Sequence, residues 1–347
     1  MIFIAYGGIL VDIFCARGIE AARANGGICM RGRRGLRLIT ALIVAVFAAA
    51  AGYGVSVLNG GSDGMSVHFI DVGQADAALV ACEGHYMMID GGNAADSDTV
   101  YTYLRKNGVD SLDAVICTHA HEDHVGGLSG ALAFARTSAA YCSVTEGDSK
   151  AFDSFVAALD AQGVGITVPE PGDSFMLGSA EVEFLGPVEE YDDANNSSLV
   201  VKVSYGQTSF LFTGDAEYES ETDILEAGFD VSADVLKVGH HGSDSSTSYR
   251  WLRAVDADYA VISVGKDNSY GHPSSEVLDR LADADVQVYR TDLQGDIVFA
   301  SDGSELTVDT SAGEALKPTQ RAALFGRFYV FMHSGRDVCP AFFLLGV

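Results

Sequence analysis

Residues 118–128 read Thr118-His119-Ala120-His121-Glu122-Asp123-His124-Val125-Gly126-Gly127-Leu128, and this stretch decides how the rest of the chain is read. Within six positions it supplies three imidazoles (His119, His121, His124) and the carboxylate of Asp123, the ligand types that divalent transition metals prefer in water. His119 and His121 are two apart, so in an extended segment both side chains project to one side. Asp123 and His124 fall at the turn into a helix, where they can address a second ion beside the first. Gly126 and Gly127 let the chain turn tightly where the ligands converge. The run follows an apolar strand pattern over 112–118 and precedes a helical pattern over 125–135. Ligand groups at this density mark a metal site rather than a solvated loop.

Outward from that run, 67–71, 77–82 and 85–90 are compact apolar runs divided by turn residues, a strand signature. Asp96 and Ser97 cap a helix that extends to Asn107 and ends at Gly108. Downstream the pattern predicts helix 149–162, strand 180–185, strands 198–205 and 208–213, helix 216–226 and strand 234–238. Strand 259–263, helix 274–284 and strands near 287–290 and 295–300 close the series. A meander followed by alternating strands and helices suits two sheets packed between helical layers. No internal repeat stands out.

The chain has 347 residues, 48% hydrophobic and 20% charged, which excludes disorder and leaves ample length for a core. Its six cysteines (15, 29, 82, 117, 142 and 339) form no close pair of the zinc-ribbon kind, so metal chemistry rests on His and Asp. Ten of the 21 basic residues lie in 1–60 and 317–347, with only Asp12, Glu20 and Asp337 as acids there. Residues 61–316 therefore carry 11 basic against 45 acidic side chains, a formal charge of −34. Such a surface repels polyanions at long range. It argues against a broad nucleic-acid groove and leaves room for a metal-lined pocket.

Residues 38–58 contain no charged side chain and follow Arg31, Arg33, Arg34 and Arg37. That length spans a bilayer, and the basic flank puts the N-terminus on the cytoplasmic side. The expectation is a signal sequence or signal anchor, compatible with a start at Met30, and a catalytic part exported or tethered outside the cytoplasm. The domain division that follows is an N-terminal anchor over 1–60, one globular domain over 61–316 and a basic, aromatic tail over 317–347, whose role the sequence leaves open. Oligomeric state is open as well.

Three further segments carry polar groups at the ends of apolar runs. Asp215 follows Leu211-Phe212-Thr213-Gly214, where a buried carboxylate is costly unless it is ligated. Glu217 reads either as a partner of the site or as a favourable charge at a helix N-terminus. His240 and His241 are adjacent and cannot face one point equally well. Ser243 and Ser246 read as turn residues, having no base paired with them. His272, in Tyr270-Gly271-His272-Pro273, reads either as a group that protonates a leaving group or stabilises a phosphoryl oxygen, or as a structural loop histidine. Asp71 and Asp90 lie near strand ends, as turn residues or as carboxylates orienting a metal-bound imidazole. His68 and His85 read as packing or surface positions.

Together these segments resemble the metallo-β-lactamase fold superfamily. The carriers are the His-x-His-x-Asp-His pattern, Phe69-Ile70-Asp71-Val72-Gly73-Gln74-Ala75-Asp76 with Ile89-Asp90-Gly91-Gly92, and Gly214-Asp215. Val235-Leu236-Lys237-Val238-Gly239-His240-His241-Gly242-Ser243 and Tyr270-Gly271-His272-Pro273 look like the branch that contains the hydrolase domain of ComEC competence proteins. The resemblance covers about 65 to 300 and implies an α/β fold, an αββα sandwich with the metal site at one edge between the sheets. It implies two divalent ions, zinc first and manganese open, held by His119, His121, Asp123, His124, Asp215 as the bridging carboxylate, and one of the twin histidines. His240 is favoured as that ligand, with His241 touching substrate. No histidine lies between His124 and Asp215, where many relatives supply a third one to the first ion. Asn195-Asn196-Ser197-Ser198 stands there instead, so Asn196 joins Asp123, His241 and His272 as a candidate catalytic group.

The function these readings imply is a metal-dependent hydrolase that activates water between two cations. Phosphodiesters rank first as substrates, with small phosphoesters favoured and single-stranded DNA disfavoured by the acidic surface. Rival readings are a DNA-uptake module with little catalysis of its own and a lactamase- or lactonase-type hydrolase. ComEC proteins pair this domain with a multi-span channel, and this chain has room for a single span near its N-terminus.

Overall fold

The computed structural model describes residues 64–312. The expected span over 38–58 and the basic tail both lie outside the described residues. Among the described residues no helix is long and apolar enough to cross a membrane.

Strands β1 (Met65–Phe69), β2 (Ala77–Cys82) and β3 (His85–Gly91) form the expected antiparallel meander. Helix α1 (Ser97–Asn107) leads to β4 (Ser111–Leu112) and β5 (Ala114–Cys117), followed by α2 (Glu122–Val125) and α3 (Leu128–Phe134). Next come β6 (Arg136–Thr137), β7 (Ala140–Cys142), α4 (Lys150–Asp160) and β8 (Ile166–Thr167). The second half opens antiparallel with β9 (Ser174–Leu177), β10 (Ala180–Gly186), β11 (Val200–Tyr205) and β12 (Thr208–Phe212). Helices α5 (Tyr218–Ala227), α6 (Tyr249–Val255) and α7 (Ser275–Asp283) then connect β13 (Val235–Lys237), β14 (Tyr259–Ile262) and β15 (Gln287–Arg290) in parallel. The short α8 (Thr291–Gln294) precedes β16 (Ile297–Ser301) and β17 (Leu306–Thr310).

One sheet has the order β17-β16-β1-β2-β3-β5-β7-β8 and the other β15-β14-β13-β12-β11-β10-β9. Each changes from antiparallel to parallel partway across, and helices connect the parallel strands. Three buried clusters account for four layers. The central one joins the inner faces of both sheets, with Phe69 stacked on Phe212 at 5.6 Å and Phe299 meeting Phe69 and Phe210 edge-on. A second packs α1, α3 and α4 on the first sheet, and a third packs α5, α6 and α7 on the other. The result is the αββα sandwich. Truncating a wholly buried ring such as Phe69 to Ala would cost about 3–5 kcal/mol.

Local chemistry sets the element ends. In α4, Ser149 Oγ accepts from the amide of Phe152, and Ala151, Phe152, Phe155 and Leu159 form one buried stripe. The helix expected over 125–135 is two helices. Its break is steric: a Cβ on Gly127 would lie 1.8 Å from the Gly91 carbonyl oxygen, so only glycine admits the close approach of this turn to the end of β3. The strand expected over 112–118 stops at Cys117 because Thr118 leaves the sheet, its amide donating to Asp90 Oδ1 at 2.7 Å and its hydroxyl to Oδ2 at 2.8 Å.

Candidate metal centre

The loops after β5, β12, β13 and β14 leave the parallel strands at one edge of the sandwich, and each carries polar groups of the site. The amide of Leu199 donates to Thr118 O at 2.8 Å and that of His240 to Gly214 O at 3.1 Å, which ties the segments together. Asp215 lies at the centre, 2% exposed. Its Oδ1 is 3.2 Å from Nε2 of His124 and 3.8 Å from Nε2 of His241. Its Oδ2 is 4.0 Å from Nε2 of His119 and 3.7 Å from Nε2 of His240. Nε2 of His241 is also 3.3 Å from Asp123 Oδ2. His121 is exposed, with Nδ1 3.0 Å from Nε2 of His119.

Asp123, His124, Asp215 and His241 each offer one ligand atom within 4.8 Å of the others. Nε2 of His124, Oδ1 of Asp215 and Nε2 of His241 are buried and make no hydrogen bond. Burying polar atoms this way is costly unless something ligates them, so these residues fit a divalent cation.

The other ring nitrogens are held from behind. Nδ1 of His124 lies 2.8 Å from Asp90 Oδ2, and Nδ1 of His240 lies 3.0 Å from Glu217 Oε1. Nδ1 of His119 has Thr118 Oγ1 and Ser198 Oγ each at 3.3 Å. Nδ1 of His241 donates to Ser263 O at 3.0 Å, with Asp76 Oδ1 at 3.2 Å. Partners of this kind fix tautomer and ring orientation and leave Nε2 directed inward. Asp76 is in turn paired with the buried Lys237, Nζ to Oδ2 at 2.8 Å.

Electrostatics follow from this packing. Burial alone would raise the Asp215 carboxyl, but His124, His241 and His119 around it hold it well below the usual carboxylate range. Burial opposes protonation of His124, and Asp215 and Asp90 outweigh it, pushing the imidazole well up. In His241 the same opposition is overcome by Asp215, Asp76 and Asp123, to about 10. Burial and the neighbouring His124 push His119 well down. Burial keeps Asp90 above its ordinary value despite His124.

The twin histidines approach Asp215 from different sides. His241, not His240, sits with Asp123 and His124, because both residues adopt left-handed backbone (φ 46 and 52), which turns the adjacent rings to different places, 6.2 Å apart. Asn196 does not face the cluster. Its Oδ1 accepts from the amides of Glu217 at 3.1 Å and Ser220 at 3.3 Å, so it caps α5 from outside that helix. Glu217 lies against His240. Asp71 is exposed, its amide donating to Asp296 Oδ1, and His85 is exposed beside Asp113. His68 is buried between Ser66 and Tyr103.

His272 stands at the rim, its ring 5.7 Å from that of His240 and edge-on to it. Burial, helped by His240 and His241, pushes its imidazole down. Sequence reasoning missed Asp76, Lys237 and Ser198 as parts of the site. A lysine within the apolar run 235–238 was a signal, since a charge there needs a buried partner; Ser198 gave none.

The sequence model of the Metallo-beta-lactamase superfamily matches residues 70–266. The chain is 32% identical over 253 residues to ComE operon protein 3 of Bacillus subtilis, covering 67% of this chain and 32% of that protein. It is 30% identical over 240 residues to Competence protein ComA of Neisseria gonorrhoeae, covering 66% of this chain and 31% of that one. The chain thus spans about a third of the length of these curated relatives. Among solved structures, the metallo-beta-lactamase fold protein YhfI from Bacillus subtilis aligns with a TM-score of 0.47 at 15% identity, over 69% of this chain and 100% of that chain.

Proposed function

The chain belongs to the metallo-beta-lactamase superfamily, and from that premise we propose that this metal-dependent hydrolase is a phosphodiesterase working with two divalent cations at the Asp215 cluster. The observation that carries the proposal is the set of buried, hydrogen-bond-free atoms of His124, Asp215 and His241 beside Asp123. His119, His121, His240 and Asp215 Oδ2 would hold one cation, and Asp123, His124, His241 and Asp215 Oδ1 the other. The donor set is nitrogen and oxygen without sulfur, which suits zinc and leaves manganese open. When bound, such a pair lowers the pKa of water and neutralises charge that develops on a substrate oxygen.

The chain's own residues supply position. Asp90, Glu217, Ser198, Asp76 and the Ser263 carbonyl orient the imidazoles before any ligand arrives, so no reorganisation is needed during reaction. His272 at the rim is the group that would meet a phosphoryl oxygen or donate a proton to a leaving group. The net negative charge over 61–316 favours small phosphoesters over long polyanions. We further propose an N-terminal membrane anchor with the catalytic domain outside the cytoplasm, from the uncharged run 38–58 and its arginine flank.

Turnover of bis-p-nitrophenyl phosphate by the purified chain with added Zn²⁺ or Mn²⁺, abolished by chelation and by Asp215→Ala, is the expected result. Absence of that turnover together with lactamase or lactonase activity would overturn the substrate class. The competence-named relatives favour one second reading, a DNA-uptake accessory. Tight binding of single-stranded DNA without cleavage would support it.

A further inference from the structure

A chain of rings leads from the centre to solvent. The rings of His241 and His240 lie 6.2 Å apart, those of His240 and His272 5.7 Å, and those of His272 and Tyr270 5.7 Å. The last contact is a stack at 26°, so one face of Tyr270 rests on His272. The side chain is nevertheless 72% exposed, more than any other large hydrophobic residue among the described residues. A tyrosine ring kept in water forgoes apolar burial worth having elsewhere, and here its support is stiff. Asn268 Nδ2 donates to the carbonyls of Gly265 at 3.0 Å and His272 at 2.6 Å. Asn268 Oδ1 accepts from the amides of Tyr270 and His272, both at 3.1 Å. The amide of Gly265 itself donates to Gln74 Oε1 at 3.0 Å, so the loop is anchored to the segment after β1. One side chain thus closes the loop with four hydrogen bonds, and the ring is held ready instead of swinging free.

We propose that Tyr270 is a specificity-determining residue, a stacking platform for a planar ring attached to the phosphoryl group handled at the metal centre. The inference rests on the phosphoester reading above and deepens it. The favoured substrate is a phosphoester that carries a heteroaromatic ring of the nucleobase class, not a bare sugar or alkyl phosphate. Bases stack on exposed aromatic side chains regardless of their hydrogen-bonding edges, so the platform selects the presence of a ring and is tolerant of its identity. The phosphoryl end would lie toward His272 and Asp215, the ring against the outer face of Tyr270. An affinity gain comes cheaply because the loop needs no ordering on binding.

The test compares thymidine 5′-monophosphate with 2-deoxyribose 5-phosphate, titrated calorimetrically into the full chain with Mn²⁺ present. Wild type is expected to bind the nucleotide about tenfold more tightly or better, as base stacking on an aromatic side chain requires. Tyr270→Ala should bring the ratio of the two dissociation constants close to one, and Tyr270→Phe should keep it. Equal affinities in wild type, no binding of either probe, or a preference that survives Tyr270→Ala overturns the proposal. Because binding is read without turnover, failure of the phosphodiesterase assay would be seen separately. Tyr270 is exposed at a loop tip, so its replacement does not threaten the fold.

Discussion

His240 and His241 are neighbours in the chain yet meet different oxygens of one carboxylate: Nε2 of His240 lies 3.7 Å from Asp215 Oδ2, and Nε2 of His241 lies 3.8 Å from Oδ1. Consecutive left-handed residues make this possible, and each such non-glycine residue costs on the order of 1 kcal/mol or more. The surroundings hold that strain: Glu217 grips His240 from behind, and Ser263 and Asp76 grip His241. Two imidazoles are thereby delivered to the two sides of Asp215 from a single turn.

Separate losses follow from that division. His241→Ala should remove one of two bound cations per chain and lower kcat/KM about 100-fold or more, since even a group that only orients a ligand is worth 10–100-fold. His240→Ala should spare the cation held with Asp123 and His124 and weaken the other. Metal content after dialysis, measured beside phosphodiester turnover, distinguishes the two variants. Identical metal loss in both would contradict the division.

The Asp76–Lys237 pair makes a second prediction about stability. Both side chains are buried, and the contact is 2.8 Å. Breaking a buried pair by removing one partner strands the other charge and costs about 3–5 kcal/mol. Lys237→Met alone should therefore lower the urea midpoint sharply. Asp76→Asn with Lys237→Met leaves no orphan charge, and the stability of the double variant should recover most of that loss. Additive losses would show that the two residues act independently.

The turn of the ligand loop predicts a steric effect. A Cβ at Gly126 would stand 2.2 Å from the Ala94 amide nitrogen, and one at Gly127 would stand 1.8 Å from Gly91 O. Those neighbours are backbone and cannot swing away. Overpacking costs about 1–3 kcal/mol where side chains can adjust, and Gly127→Ala should exceed that range. It should also displace His124, so a fall in metal affinity should accompany the fall in melting temperature.

What the sequence made legible divides along the same physical line. The His119–His124 run was readable because its ligands are local and their spacing fixes their direction. Asp215 was readable because a carboxylate ending the apolar strand β12 has few other uses. Most elements were placed within a few residues, and the αββα layering followed from the change of a meander into alternating strands and helices. Which of His240 and His241 joins Asp123 was not readable, because it depends on two unusual backbone angles. Asn196 misled for a related reason: its amide caps α5, which begins 22 residues later, and nothing local announces that. Asp76 precedes β2 of one sheet and Lys237 lies in β13 of the other, so only the packed sandwich reveals their pairing. The strands β6 and β8 carry two residues each, too few for a pattern.

His68 predicts a pH dependence remote from the metal centre. It is 1% exposed, bonded to Ser66 Oγ and Tyr103 O–H, and burial pushes its imidazole down to about 4 from an ordinary 6.5. A histidine that stays neutral when folded but protonates when unfolded gives the unfolded state the extra proton. Stability is therefore intact above about pH 6.5 and is lost as pH falls from there toward 4. Over the interval from pH 7.5 to pH 5 that loss should be about 2 kcal/mol, because each tenfold difference in proton affinity between the two states is worth about 1.36 kcal/mol. His68→Asn removes the titrating group, so its denaturation midpoint should fall less than that of wild type over the same interval. The variant starts lower at pH 7.5, having lost buried contacts, and the two stability curves should converge on the acid side. Parallel curves would mean that His68 is not the group that titrates.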